Sequence, residues 1–213
     1  MSSVAAPVPD NQNPKAHPLW QLVERACASS PFGLDFASEH VAVVYRFAER
    51  LAPRLGARMD VVGPAVILHD IAAIESPADI PRHQELGAER GISILRQHGF
   101  ANELLPAVAE CIRRHGQPVR VGEGSPEVVC LSHADALSQM AHPSYWLSYA
   151  QRVRGFSFQE GRAWYRGLLE QRWKQLDPSL VDMARPHYLR AMAALADDTT
   201  AQAEPASDVL KTV

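Results

Sequence analysis

Val61 to Ile74 carries almost no polar surface on any side, yet a His69-Asp70 doublet sits within it, in Val66-Ile67-Leu68-His69-Asp70-Ile71. A helix that is apolar all round belongs in the middle of a domain, not on its surface. Burying a carboxylate there is costly unless it is paired or bound to a metal. A lone histidine in such a place is ordinarily a satisfied core residue. The aspartate beside it is not accounted for so simply, and whatever compensates Asp70 constrains the rest of the chain.

The 213 residues suffice for one sizeable domain, and a hydrophobic content of 46% supplies a packed core. The net charge of −3 gives no general case for a nucleic-acid polymer or an anionic membrane. Cys27, Cys111 and Cys130 are odd in number and lack metal-type spacing. A disulfide framework is therefore not expected, and a reducing cytoplasm fits. No apolar run reaches membrane-spanning length, and the N-terminus shows no basic segment followed by an apolar one.

Apolar periodicity predicts an all-α chain with no convincing strand. Residues 1–15, rich in proline and small residues, read as a flexible tail, and 198–213 as another. Between them a single helical domain spans 16–197. Helices are expected over Pro18 to Cys27, from about Ser38, over Val61 to Ile74, His83 to Gln97, Asn102 to His115, and Pro126 to Met140. Three more follow, over Tyr145 to Val153, Phe158 to Leu176, and from Asp177-Pro178-Ser179 to about Leu195. Ser38 and Asp60 are the expected caps of the second and third. Pro64 is expected in a first turn, and Pro53 and Pro186 as a bend or stop and a kink. Residues 78–82 are expected to form a loop.

Several helices turn chemistry-bearing residues inward. His40 shares a stripe with Val44, Phe47, Leu51 and Leu55, away from Arg46, Glu49 and Arg50. Asp135 aligns with Val128 and Leu131. His115 ends the face of Leu104, Val108, Cys111 and Ile112, and His83 begins a helix. Two buried carboxylates cannot both ionise without cationic support. Imidazoles and carboxylates converging from different helices suit a divalent metal. His98 and His133 are weaker ligand candidates, His98 reading as a surface residue before Gly99, and His17, His142 and His187 have no motif and read as structural.

The order His40, His69-Asp70, Asp135 resembles the HD superfamily of metal-dependent phosphohydrolases. Ala65-Val66-Ile67-Leu68-His69-Asp70-Ile71 is similar to that family's central helix, and Leu131-Ser132-His133-Ala134-Asp135-Ala136-Leu137 to the helix bearing its last aspartate. The resemblance covers 38–140, the expected core of the metal site, and leaves 141–197 as a helical extension. It implies that His40, His69, Asp70 and Asp135 bind a first metal. In binuclear members two further histidines serve a second metal, and His83 and His115 resemble them. The ion would be one of Mn, Fe, Mg, Co or Ni. The chain also departs from the family. Ala72 and Ala73 stand where many members carry Gly and Lys, and Gly116-Gln117-Pro118 replaces the GYP signature of cyclic dinucleotide phosphodiesterases.

The implied activity is metal-assisted hydrolysis of a small phosphate ester or nucleotide-like substrate. In it the metal lowers the pKa of bound water, and Asp70 is the catalytic residue that orients the nucleophile. Arg82, Arg113 and Arg114 are candidates for holding phosphate. Trp146, Tyr149, Trp164 and Tyr165 could line a pocket or simply pack the core. Two rival readings are an HD-type di-iron oxygenase cleaving a carbon bond and a non-enzymatic ligand-sensing module. The expected partner is a small phosphorylated molecule, and a homo-oligomer is compatible.

Overall fold

Apolar periodicity is realised as helices joined by short turns and loops within residues 13–196, the part of the chain that the computed structural model describes; no β-strand occurs among them. The helices are α1 (Trp20–Ala28), α2 (Leu34–Phe36), α3 (Ala42–Leu55), α4 (Met59–Leu68), α5 (Ile71–Glu75) and α6 (His83–Gln97). They continue with α7 (Leu105–Arg114), α8 (Pro126–Ala141), α9 (Pro143–Arg152), α10 (Phe158–Gln175) and α11 (Val181–Ala194). Together they form one helical domain.

α4 lies at the centre. Every residue from Val61 to Leu68 is buried, because α3, α7 and α8 pack around it. α8 is nearly as enclosed, with Val128 to Met140 all buried, and its pairing with α3 is the most extensive in the fold. Each large aliphatic side chain so buried contributes roughly 1.5–3 kcal/mol. That supports Pro64, which lies inside α4 and leaves the Asp60 carbonyl without its usual donor.

Several helix boundaries differ from those expected. The cap of the second helical segment is Gly33, whose φ of 73° favours glycine, not Ser38. Ser38 instead donates its hydroxyl to the Asp35 carbonyl, inside a π-helical turn over Ala37–Val41 that joins α2 to α3. α4 begins at Met59 after Arg58, so Asp60 sits in its first turn and Pro64 a turn deeper than expected. The central helix is not continuous either. Regular helix stops at Leu68, Asp70 takes φ −106° and ψ 9°, and α5 starts at Ile71. Pro77–Arg82 is a 3-10 segment where a loop was expected. Pro53 and Pro186 lie within α3 and α11 without ending them.

Local signals elsewhere are used as the residues suggest. Ser125 accepts the Val128 N–H ahead of Pro126, and Ser157 with Glu160 forms a capping box for α10. Each cap contributes about 1 kcal/mol. The three cysteines are free and buried. No helix among the described residues is long and apolar enough to cross a membrane. The expected tails lie outside the described residues except at their inner edge, where Asn13 caps a 3-10 turn over Pro14–Ala16 and Pro14 is buried.

Candidate metal centre

The π turn and the break in the central helix set the first two parts of the site. One extra residue per turn at Ala37–Val41 aims His40 across the bundle at the α4–α5 joint. At that joint His69 Nε2 lies 3.1 Å from His40 Nε2, and Asp70 Oδ2 lies 3.2 Å from His40 Nε2 and 3.1 Å from His69 Nε2. Asp135, from the middle of α8, brings Oδ1 to 3.5 Å from His40 Nε2. His83 at the start of α6 and His115 just after α7 meet Nε2 to Nε2 at 3.1 Å. Both face the other oxygen of Asp70, at 3.5 and 3.6 Å from Oδ1. Asp70 thus stands between two clusters, one oxygen to each.

Every imidazole is held in one tautomer by a partner behind it. His69 Nδ1 donates to the Val66 carbonyl at 2.7 Å, His83 Nδ1 to Ile80 at 2.6 Å, and His115 Nδ1 to Ile112 at 2.6 Å. The Ser138 hydroxyl donates to the Asp135 carbonyl at 2.8 Å and so accepts from His40 Nδ1 at 3.1 Å. All four Nε2 lone pairs therefore point inward, at one another and at carboxylate oxygens. In the neutral rings such an arrangement is repulsive unless a cation lies among them. Donors bound about 2.1 Å from a common ion lie about 3.0–3.4 Å apart. The spacings here run from 3.1 to 3.6 Å. His40, His69 and Asp135 form one group that could hold an ion, and His69, Asp70 and His115 another.

Asp135 is oriented from outside its own turn. Gln139 Nε2 donates to both its oxygens, at 3.1 and 3.2 Å. The amide is turned that way because Arg172, on α10, can only donate; its Nε contacts Gln139 Oε1 at 2.7 Å. Arg172 also reaches the Gly116 carbonyl at 3.4 Å, next to His115, and lies 3.9 Å from Asp135 Oδ2.

His40, His69, His115 and Asp135 are all buried. Burial works against charge on Asp70, but His69, His115 and His40 around it outweigh burial and hold its carboxyl well below the ordinary value. For His69 burial again opposes the charge, and Asp70 with Asp135 reverses it, holding the ring at about 9. His115 goes the other way: burial and the neighbouring His69 lower it, against the pull of Asp70.

The clusters lie at the base of a cavity of about 240 Å³. Its wall includes Trp146, Tyr149, Trp164, Arg154 and Arg172, all from the extension. Tyr165 does not join them; it is fully buried and donates to the Gln139 carbonyl at 2.7 Å. The arginines chosen from the sequence are elsewhere. Arg82 is exposed outside the cavity. Arg113 and Arg114 turn back along α7 to Glu110, at 2.8 and 4.0 Å. Proximity in sequence to His83 and His115 misled here, because the residue before an inward-facing helical position faces outward. Ser138, Gln139 and Arg172 were not singled out. Ser138 and Gln139 could have been, since they follow Asp135 by one helical turn, but nothing local marks Arg172.

Of the remaining histidines, His133 is a core residue: its Nδ1 donates to the Val129 carbonyl at 2.8 Å and its Nε2 accepts the Asp177 N–H at 2.9 Å. His98 is exposed, and His142 contacts Glu39 at 2.9 Å.

An all-helical bundle with histidines and aspartates from separate helices around a bridging carboxylate defines a candidate metal-site protein. Residues 37–140 match the family model described as HD domain. That segment, which contains His40, His69, Asp70, His83, His115 and Asp135, is an HD domain. Neither the curated proteins nor the solved structures give a match.

Proposed function

We propose that the protein is a metal-dependent phosphohydrolase acting on a small phosphate ester. The observation that carries this reading is the carboxylate of Asp70, set between two histidine-bearing clusters at the base of a small cavity. His40, His69, Asp70 and Asp135 would hold one divalent ion, and Asp70, His83 and His115 a second. Such ions supply Lewis-acid polarisation of a phosphoryl oxygen and a lowered pKa for water. Ser138 and the carbonyls of Val66, Ile80 and Ile112 hold the imidazoles from behind at Nδ1 and keep Nε2 aimed at the centre. Asp70, ionised at neutral pH, accepts a hydrogen bond from the attacking water and holds it at the cavity base. The cavity volume of about 240 Å³ suits a small molecule.

The donor set favours one alternative. Four imidazoles and two carboxylates also suit a pair of irons, the ligands of an HD-type oxygenase.

The test is metal analysis of protein purified without added metal, followed by a screen of phosphate esters and nucleotides with Mn, Mg, Co, Ni or Fe. Wild type should hydrolyse at least one ester in a metal-dependent way. Asp70→Ala should lose turnover by several orders of magnitude while its far-ultraviolet circular dichroism stays helical. Oxygen consumption by an iron form, without ester hydrolysis under any metal, would replace this reading with the oxygenase. Tight ligand binding with no turnover of any kind would replace it with a sensing module.

A further inference from the structure

The doublet is followed by Ile71, Ala72 and Ala73, and Ala73 lines the cavity, so α5 offers no cation to an anionic substrate. Two guanidinium groups reach the wall instead. Arg172 is committed: its hydrogens go to Gln139, Gly116 and Gln175, and it lies beside Asp135. Arg154 is not. It is exposed at the rim, over the rings of Phe156 and Trp164 at 5.3 and 5.8 Å from their centroids. Among the described residues its guanidinium has neither a hydrogen bond nor a carboxylate partner.

Tyr149 is the second unspent group. The residue is 6% exposed and lines the same cavity, wedged by its ring among Phe32, Trp146 and Trp164. Its hydroxyl makes no hydrogen bond to any described residue. Three other polar atoms, Trp20 Nε1, Tyr145 Oη and Trp146 Nε1, are sealed in the interior without a partner; the Tyr149 hydroxyl is not among these sealed atoms. Burial and the charge of Asp70 push this phenol up to about 12, with Arg154 acting in the opposite direction. At neutral pH it is a donor.

We propose that Tyr149 and Arg154 are the phosphate-holding pair of this site, so that the extension beyond residue 140 supplies the anion recognition that the segment after the doublet lacks. Tyr149 donates its O–H to one non-bridging oxygen, and Arg154 takes the outer oxygens from the rim. Addressing outer oxygens in addition to those facing the histidines requires a terminal phosphate, so the ligand class is a phosphate monoester. Trp146 and Trp164, which line the same cavity, supply an aromatic wall for the group the phosphate is attached to. This inference rests on the phosphohydrolase reading.

Inorganic phosphate is the probe. Its binding to the metal-loaded full chain is measured by calorimetry for wild type, Tyr149→Phe, Arg154→Gln and Arg154→Lys, with metal content determined on each sample. Wild type should bind phosphate. Tyr149→Phe and Arg154→Gln should each weaken binding by about tenfold, the worth of one charge-assisted hydrogen bond. Arg154→Lys should recover part of the loss, and metal content should not change. On any monoester that wild type hydrolyses, the two damaging variants should raise KM. Wild-type affinity in both variants, while wild type hydrolyses an ester, overturns the pair and leaves the hydrolase reading standing. Loss of metal in Tyr149→Phe also overturns it, by making the tyrosine structural. If wild type neither binds phosphate nor hydrolyses any ester, the underlying reading fails and this one with it.

Discussion

His83 and His115 meet Nε2 to Nε2 at 3.1 Å, although each ring already donates its Nδ1 hydrogen to a main-chain carbonyl. Two such lone pairs repel unless a cation or an added proton lies between them. We therefore expect His83→Ala and His115→Ala each to reduce bound metal by one ion per chain, measured by elemental analysis after dialysis. Unchanged stoichiometry in both variants would leave a single metal held by His40, His69, Asp70 and Asp135.

Arg172 acts on Asp135 through the amide of Gln139. Removing it frees the amide to turn its oxygen toward the carboxylate. Arg172→Ala should lower metal affinity by about 10–100-fold, the usual cost of losing a partner behind a ligand. Lysine keeps the charge but lacks the planar fork, so Arg172→Lys should recover little. A chelator competition titration reads both. Equal affinity in wild type and Arg172→Ala would show that Gln139 holds its orientation without the arginine.

Two glycines of α6 should respond differently to alanine. A Cβ on Gly87 would meet the His69 carbonyl oxygen and Ile112 Cγ2, each at 3.3 Å. The carbonyl belongs to the doublet and cannot yield without moving it. Gly87→Ala should cost about 1–3 kcal/mol and weaken metal binding as well. On Gly91 the near contact is Ile112 Cδ1 at 2.9 Å, the end of a side chain that can rotate. There the helix propensity gained, about 1 kcal/mol, offsets the strain. Urea denaturation of the two variants separates them; equal losses would contradict the contrast.

His17 makes the fold sensitive to acid independently of the metal ligands. Its Nδ1 accepts the Leu19 N–H at 3.2 Å, and burial holds its pKa at about 4, below the ordinary 6.5. The folded state thus prefers the neutral ring. The preference is intact above pH 6.5 and is lost as pH falls from there toward 4. It is worth on the order of 3 kcal/mol across that window. His17→Gln should flatten the fall in urea midpoint between pH 6.5 and 4; a slope like that of wild type would assign the sensitivity to other groups.

The helices were legible because apolar spacing is a local property. Leu131, Asp135 and their neighbours face inward for the same reason that any residues spaced by whole turns share a face. Boundaries were less legible where the backbone departs from regular helix. Nothing in Ala37-Ser38-Glu39-His40-Val41 announces a π turn, and His69-Asp70 reads as the middle of a helix when it is a joint. Both departures occur where a side chain is aimed at the centre, the places where packing between helices overrides local preference.

The sequence by itself determined the helical class, the burial of α4 and the inward placement of His40, His69, Asp70 and Asp135. These follow from which residues can leave water, a matter settled within each helix. Tertiary structure decided that one oxygen of Asp70 faces each histidine cluster, that Arg172 steadies Asp135 from 37 positions away, and that Arg154, not Arg82, Arg113 or Arg114, stands at the cavity rim. Those relations depend on how separate helices cross, and the angle and register of a crossing are fixed by packing among residues far apart in the chain.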